Sequence, residues 1–225
     1  MEKKSIIILS LLSAVLSLIY VLLSYFGLLR YYSLYYFDIK GYTKNYKNLD
    51  KLGKHRTVIS MIVTQKQIID IDHTIKSLLD QTVKVDLISI TIPTDFDYTL
   101  KDELNDCVSI FRCDPDKGIL NCLLPVIMRE QESTTRIITL CDGIAYGKDF
   151  IETILEESEN NPEKIIYVNK ENYMDLSKGI VFSTKFFNED FLDVPDNIDS
   201  NEWINEYFKN TQKIKIDYNE NYNSI

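Results

Sequence analysis

From Ile6 to Leu29 the chain runs 24 residues without a single charge. As a helix that stretch is about 36 Å long, enough to cross the hydrocarbon core of a bilayer. Lys3 and Lys4 stand before it, Arg30 closes it, and Tyr31, Tyr32, Tyr35 and Tyr36 follow, giving basic ends and an aromatic belt. A cleavable signal peptide has a shorter apolar core and a small-x-small cleavage site, and Ser24-Tyr25-Phe26-Gly27 is a poor one. The pattern predicts a retained signal-anchor over 6–29, a single-pass transmembrane helix behind a short tail at 1–5. Lys3, Lys4 and the α-amino group nearly balance Arg30, Lys40 and Lys44, so the basic residues do not choose an orientation. Ser10, Ala14 and Ser17 fall near one helix face, which admits a second helix and a homo- or hetero-oligomer through the anchor; serine is also simply tolerated in such helices.

Residues 30–55 read as a stem. Tyr, Lys and Asn dominate, no apolar periodicity is sustained, and Gly41 and Gly53 punctuate it. Up to Asp50 six Lys/Arg face three Asp/Glu, a local +3 within a net charge of −9, so the remainder carries −12. The basic stretch suits anionic headgroups, although a solvated spacer is the plainer reading. The acidic body argues against a nucleic-acid partner.

From 56 to 215 strands and helices alternate. Thr57 to Thr64 is β-branched without polar alternation, as a strand buried on both faces should be. Ile71, Ile75, Leu78 and Leu79 recur at helical spacing, and a second strand from Leu87 to Ile92 stops at Pro93. Further strands are expected at 108–112, 136–140, 164–168 and 179–183. Helices are expected at 120–129, with Pro125 in the first turn or kinking it, at 150–159 and near 203–208. The order predicts an α/β fold, a mostly parallel sheet with helices on both faces, preceded by the one transmembrane helix. Ligands of such sheets bind at the carboxyl ends of strands, which points to the loops after Thr64 and Leu140. No periodicity follows Lys213, and 216–225 reads as a flexible tail.

Several segments together resemble a known group. Ile59-Ser60-Met61-Ile62-Val63-Thr64, then Thr74-Ile75-Lys76-Ser77-Leu78-Leu79-Asp80-Gln81-Thr82, then Asp86-Leu87-Ile88-Ser89-Ile90-Thr91-Ile92-Pro93 are similar to the opening of GT-A-fold glycosyltransferases of the family 2 type, the nucleotide-diphospho-sugar transferases. Asp116-Lys117-Gly118, the strand running into Cys141-Asp142-Gly143, Lys178-Gly179-Ile180-Val181-Phe182 and Asn201-Glu202-Trp203-Ile204 extend the resemblance over roughly 56–210. It implies a GT-A-like, Rossmann-type domain that moves a sugar from a nucleotide-sugar donor to a glycan, protein or lipid acceptor. It also implies Mn²⁺ or Mg²⁺ held by an Asp-x-Asp pair, and a carboxylate base. By analogy with anchored members the protein is type II, with its domain in the Golgi or ER lumen.

The sequence departs from that pattern where the chemistry sits. Only Asp142 survives of the acidic triplet, so it is the one metal candidate, and Lys66 stands in for an absent Arg as a point charge. The resemblance assigns Thr64, Lys66, Asp116 and Asp142 to the nucleotide, and Glu202 or Asp199 to the role of base. Two readings stay open: a working transferase, or a catalytically impaired homologue that serves as a membrane-tethered binding or partner subunit.

Other candidates have plainer roles. His73 lies off its helix stripe and reads as an exposed polar residue, Trp203 as a packing anchor, and Glu152, Glu156, Glu157 and Glu159 as a solvated helix face. Cys107, Cys113, Cys122 and Cys141 lack metal-type spacing; Cys107 and Cys113 are the pair to consider in an oxidising lumen, and all four should be free in cytosol. Cys141 reads as a small residue in a former Asp slot rather than a nucleophile.

Overall fold

Runs of β-branched residues with no polar alternation can only sit where both faces of a sheet are covered. Thr57–Ile62 (β1), Leu87–Pro93 (β2) and Arg136–Cys141 (β4) are such runs, joined by the half-buried Val108–Cys113 (β3) and by Ile165–Val168 (β5), Ile180–Ser183 (β6) and Lys213–Ile216 (β7). The computed structural model describes residues 2–63, 71–96, 98–113, 118–195 and 198–218, with side chains from Ser5 onward. The seven strands form one sheet in the order β3-β2-β1-β4-β6-β5-β7. β6 runs antiparallel to β4 and β5, and the other pairings are parallel, so the sheet is mixed but largely parallel. β7 departs from the expected aperiodic tail. Lys213 and Lys215 alternate with Ile214 and Ile216 over four residues, too short a pattern to stand out in sequence, and the strand adds to β5 at an edge.

Successive side chains of each strand go to opposite faces, so the sheet divides two cores. Ile59, Met61, Ile90, Ile138 and Leu140 meet Ile71–Leu79 (α4) and Phe150–Asn160 (α6) on one face. Val58, Ile137, Ile180 and Phe182 meet Leu120–Arg129 (α5) and Ser200–Tyr207 (α7) on the other. Beneath α5 the register aligns Thr139, Ser60, Ser89 and Ser109 in one row across β4, β1, β2 and β3. These side chains are small, and the Ser60 hydroxyl donates to the Cys122 carbonyl of α5. Pro125 lies at the sixth position of α5 rather than in its first turn.

The N-terminal region differs from the expected spacer. Glu2–Tyr25 (α1) is a helix whose Ser5–Tyr25 portion is long and apolar enough to cross a membrane, with mean hydropathy 2.8. It stops short of Leu29, because Gly27 takes a left-handed conformation at φ 69° and so ends one helix before the next begins. Leu28–Tyr36 (α2) and Ile39–Lys47 (α3) then pack on the domain and bury Leu34, Ile39 and Tyr46. The Asp38 side chain caps α3 by accepting from the Lys40 amide. Lys76 of α4 donates to the Leu34 carbonyl at 3.0 Å, while the Tyr46 hydroxyl accepts from the Val85 amide at 2.8 Å and donates to its carbonyl. His73, expected to be exposed, is half-buried with Tyr35 stacked on its ring at 4.8 Å. The acidic face of α6 is only partly solvated, since Glu159 pairs with the buried Arg136 at 3.6 Å.

Candidate functional site

The strand order turns back at β1. The chain runs outward from β1 through β2 to β3, then crosses to β4 on the other side of β1. The connections diverge at the carboxyl ends of β1 and β4, and the crevice at such a divergence is where open α/β sheets bind ligands. On the β1 side the described chain reaches Val63; Thr64 and Lys66 lie outside the described residues, as does Asp116.

On the β4 side stands Asp142, only 2% exposed. The Cys141 thiol donates to the Asp142 carbonyl at 3.0 Å and to its Oδ1 at 3.7 Å. Gly143 follows with φ 72°, which lets the loop turn sharply. Tyr146 closes the loop: its buried hydroxyl accepts from the Cys141 amide and donates to the Cys141 carbonyl, both at 2.9 Å. The Tyr146 amide donates to Ser77 of α4 at 3.1 Å, and its carbonyl accepts from Arg30 at 2.9 Å. The loop is therefore fixed at both ends, and Arg30 carries that fixation to α2.

A second group comes from the loop after β5. Asp175 Oδ1 accepts from the Ser177 amide at 2.9 Å and from the Ser177 hydroxyl at 2.6 Å. Asn201 accepts from the Leu176 amide at 2.9 Å, and Asn205 both accepts from and donates to the Met174 backbone at 3.0 and 2.8 Å. The two asparagines are one helical turn apart on α7 and clamp this loop onto it. Their i,i+4 spacing is visible in the sequence, but nothing there names the loop they hold.

Of the two residues assigned as base, one has a structural role. The Asp199 carboxylate caps α7, accepting from the amides of Asn201 at 2.9 Å and Glu202 at 3.0 Å. Glu202 is exposed on the first turn. Asp199→Ala should therefore act on stability, lowering it by about 1 kcal/mol, the usual cost of an N-cap. A denaturation midpoint unchanged by the substitution would contradict the capping role.

Electrostatics around the crevice are acidic. Burial first, then the negative charge of Asp142, push the Cys141 thiol up to about 12, with Asp175 adding to the effect. Full burial pushes Cys122 up to about 12 as well. Both thiols thus remain protonated in the fold where the unfolded chain would ionise them. Stability should be whole below the unfolded thiol range near pH 9 and fall as pH rises from there toward 12, by at most about 1.4 kcal/mol per unit for each thiol. Urea midpoints measured from pH 8 to 11 test this, and a flat profile would remove it. None of the four cysteines is in a disulfide. Cys107 directly precedes β3 and Cys113 ends it, so six residue steps of extended chain separate them by about 20 Å, far beyond disulfide reach.

The residues present do not fit the expected metal. Among the described residues no three His, Cys, Asp or Glu side chains gather to hold an ion, and Asp142 shares its Oδ1 with Cys141. The expectation of Mn²⁺ or Mg²⁺ on Asp142 as a protein-held site is corrected on that ground.

No protein-family model and no curated protein matches the sequence. Solved structures do. A crystal structure of 4-diphosphocytidyl-2C-methyl-D-erythritol synthase is similar at TM-score 0.55 with 9% identity, over 77% of this chain and 94% of that one. The corresponding synthase from Anaerococcus prevotii DSM 20548 is similar at TM-score 0.52 with 10% identity, over 76% of this chain and 90% of that one. At such identity the likeness establishes the fold. It corrects the resemblance drawn from sequence: the neighbours are 4-diphosphocytidyl-2C-methyl-D-erythritol synthases, not glycosyltransferases. The segments that opened the resemblance are β1, α4 and β2, whose buried residues form part of the sheet and its covering helix. The nucleotide-sugar donor, the glycan acceptor and both readings framed on glycosyl transfer fall with it.

Proposed function

We propose that this chain is a membrane-anchored protein of nucleotidyltransferase type that binds a cytidine nucleotide in the crevice between β1 and β4. The observation that carries the reading is Asp142, a carboxylate 2% exposed at the end of β4, where the strand order turns back. An ionised carboxylate only accepts hydrogen bonds, so it suits ribose hydroxyls or an exocyclic amino group better than phosphate. Tyr146 and Ser77 hold its loop in place, so little ordering would remain to be done on binding. We assign Thr64 and Lys66, which follow β1, and Asp116, which precedes α5, to the same nucleotide, with the Lys66 ammonium on its phosphates.

The product named for the structural neighbours contains a cytidyl diphosphate. Forming such a group joins a phosphate oxygen of an acceptor to the α-phosphorus of a cytidine triphosphate and expels pyrophosphate. The α1 helix, long and apolar enough to span a bilayer, supports a membrane setting for this chemistry.

The full chain in detergent micelles, titrated with CTP, UTP, GTP and ATP in magnesium buffer, tests the reading by thermal shift. A ligand at 100 times its Kd stabilises a fold by about 2.7 kcal/mol. CTP is expected to give such a shift, and Asp142→Asn to abolish it while the free chain melts unchanged. A folded chain indifferent to all four nucleotides would overturn the proposal.

A further inference from the structure

Helix α2 is amphipathic in an unusual sense, with its inward face polar enough to clamp and its outward face apolar. Arg30, Ser33 and Leu34 face the domain; Arg30 reaches Asp80 at 2.7 Å and the Tyr146 carbonyl at 2.9 Å, and Leu34 is buried. Opposite them, Leu28, Tyr32 and Tyr36 recur every four residues along one exposed stripe, and Tyr36 is 71% exposed. Tyr25 and Phe26 before the helix and Phe37 after it are exposed as well. Arg30 is the one charged residue between Ser5 and Phe37, and it is turned inward. The result is a continuous exposed apolar and aromatic face of a kind that soluble surfaces rarely leave uncovered.

Two observations identify the cover. This face begins two residues after α1 ends, so it is continuous with the surface that already faces lipid if α1 spans the bilayer. Gly27 at φ 69° interrupts the helix between α1 and α2, so α2 is not bound to continue along the axis of a helix that crosses the bilayer. Tyrosine is also the side chain whose apolar ring and polar tip match the boundary between acyl chains and headgroups.

We infer that α2 lies in the membrane interface, with Leu28, Tyr32 and Tyr36 among the lipid headgroups, so that the domain rests directly on the bilayer instead of at the end of a stalk. The inference depends on the proposed membrane anchoring, and its test separates the two. Trp203 is the single tryptophan. In a Trp203→Phe background, single tryptophans are placed by Tyr20→Trp within α1, Tyr32→Trp and Tyr36→Trp on α2, and Asn45→Trp on the exposed side of α3. Each full chain is reconstituted into phosphatidylcholine vesicles with and without brominated phosphatidylcholine, which quenches only tryptophan near lipid.

The expected result is loss of emission for Tyr32→Trp and Tyr36→Trp comparable to that of Tyr20→Trp, with Asn45→Trp unchanged. Quenching at position 20 but not at 32 or 36 would overturn the interfacial helix and leave the anchor standing. Blue-shifted but unquenched emission at 32 and 36 would assign the face to a second copy of the chain, and would overturn it equally. No quenching at position 20 would remove the anchor and the inference together.

Discussion

Arg30→Ala is expected to lower the stability of the chain by about 2–3 kcal/mol, toward the low end for breaking a buried ion pair because both partners keep some solvent contact. The guanidinium is 13% and the Asp80 carboxylate 25% exposed, and the same side chain also satisfies carbonyls of Tyr146 and Ser77. Truncation leaves the carboxylate and two carbonyls without this donor, and it loosens α2 from α4. Chemical denaturation of the full chain reads the first effect, and the rate of proteolysis between 28 and 47 reads the second. Arg30→Lys keeps the charge but not the planar fork, so it should recover only part of the loss. A change below about 0.5 kcal/mol would mean that the contact is no more than a screened surface pair.

A larger loss is expected from Phe191→Ala, about 3–5 kcal/mol. Phe191 sits in the short 3-10 turn Glu189–Leu192 and is fully buried. Its ring lies 4.7 Å from Phe187, 4.9 Å from Tyr207 and 6.1 Å from Phe208, measured between centroids. Removing it opens a cavity among aromatic rings that cannot collapse without leaving their rotamers. Phe191→Leu keeps most of the volume and should cost about 1–1.5 kcal/mol. Equal losses for the two substitutions, read from urea midpoints, would show that the site depends on ring-specific contacts and not on filled volume. A loss under about 1 kcal/mol for the alanine would show that the turn is not part of the core at all.

Much of the fold was legible because its strands and first helices speak through local pattern. The β-branched runs at 57–62 and 136–141 are inner strands, and Ile71, Ile75 and Leu78 mark the buried stripe of α4. The stem was not legible. Leu34, Ile39 and Tyr46 bury themselves from two short helices with a break between them, so no period of 3.6 runs long enough to be noticed. Phe191 shares that difficulty, being packed from a turn. The site was half legible: Asp142 could be placed because it follows a recognisable strand, whereas Asp175 depends on Asn201 and Asn205 from a distant helix. A capping carboxylate and a catalytic one look alike in sequence, and it is the amides of Asn201 and Glu202 that reveal the capping role of Asp199. The family resemblance misled for a related reason, since scaffold residues are shared by folds that do different chemistry.

The pairing of Tyr46 with Val85 has a consequence for how the protein is made. The two lie 39 residues apart, and Arg30 lies 116 residues before Tyr146. At about 5–20 residues per second, roughly 2–8 s separate the synthesis of Tyr46 from that of its partner. Through that interval α2 and α3 exist before the part of their own domain that they pack against has been made. Their apolar side chains need shelter before the domain exists, so whatever receives them first acts as a holding surface during biosynthesis. Docking onto α4 is a late exchange of partners, and α2 and α3, made before α4, reach their final place only after it exists.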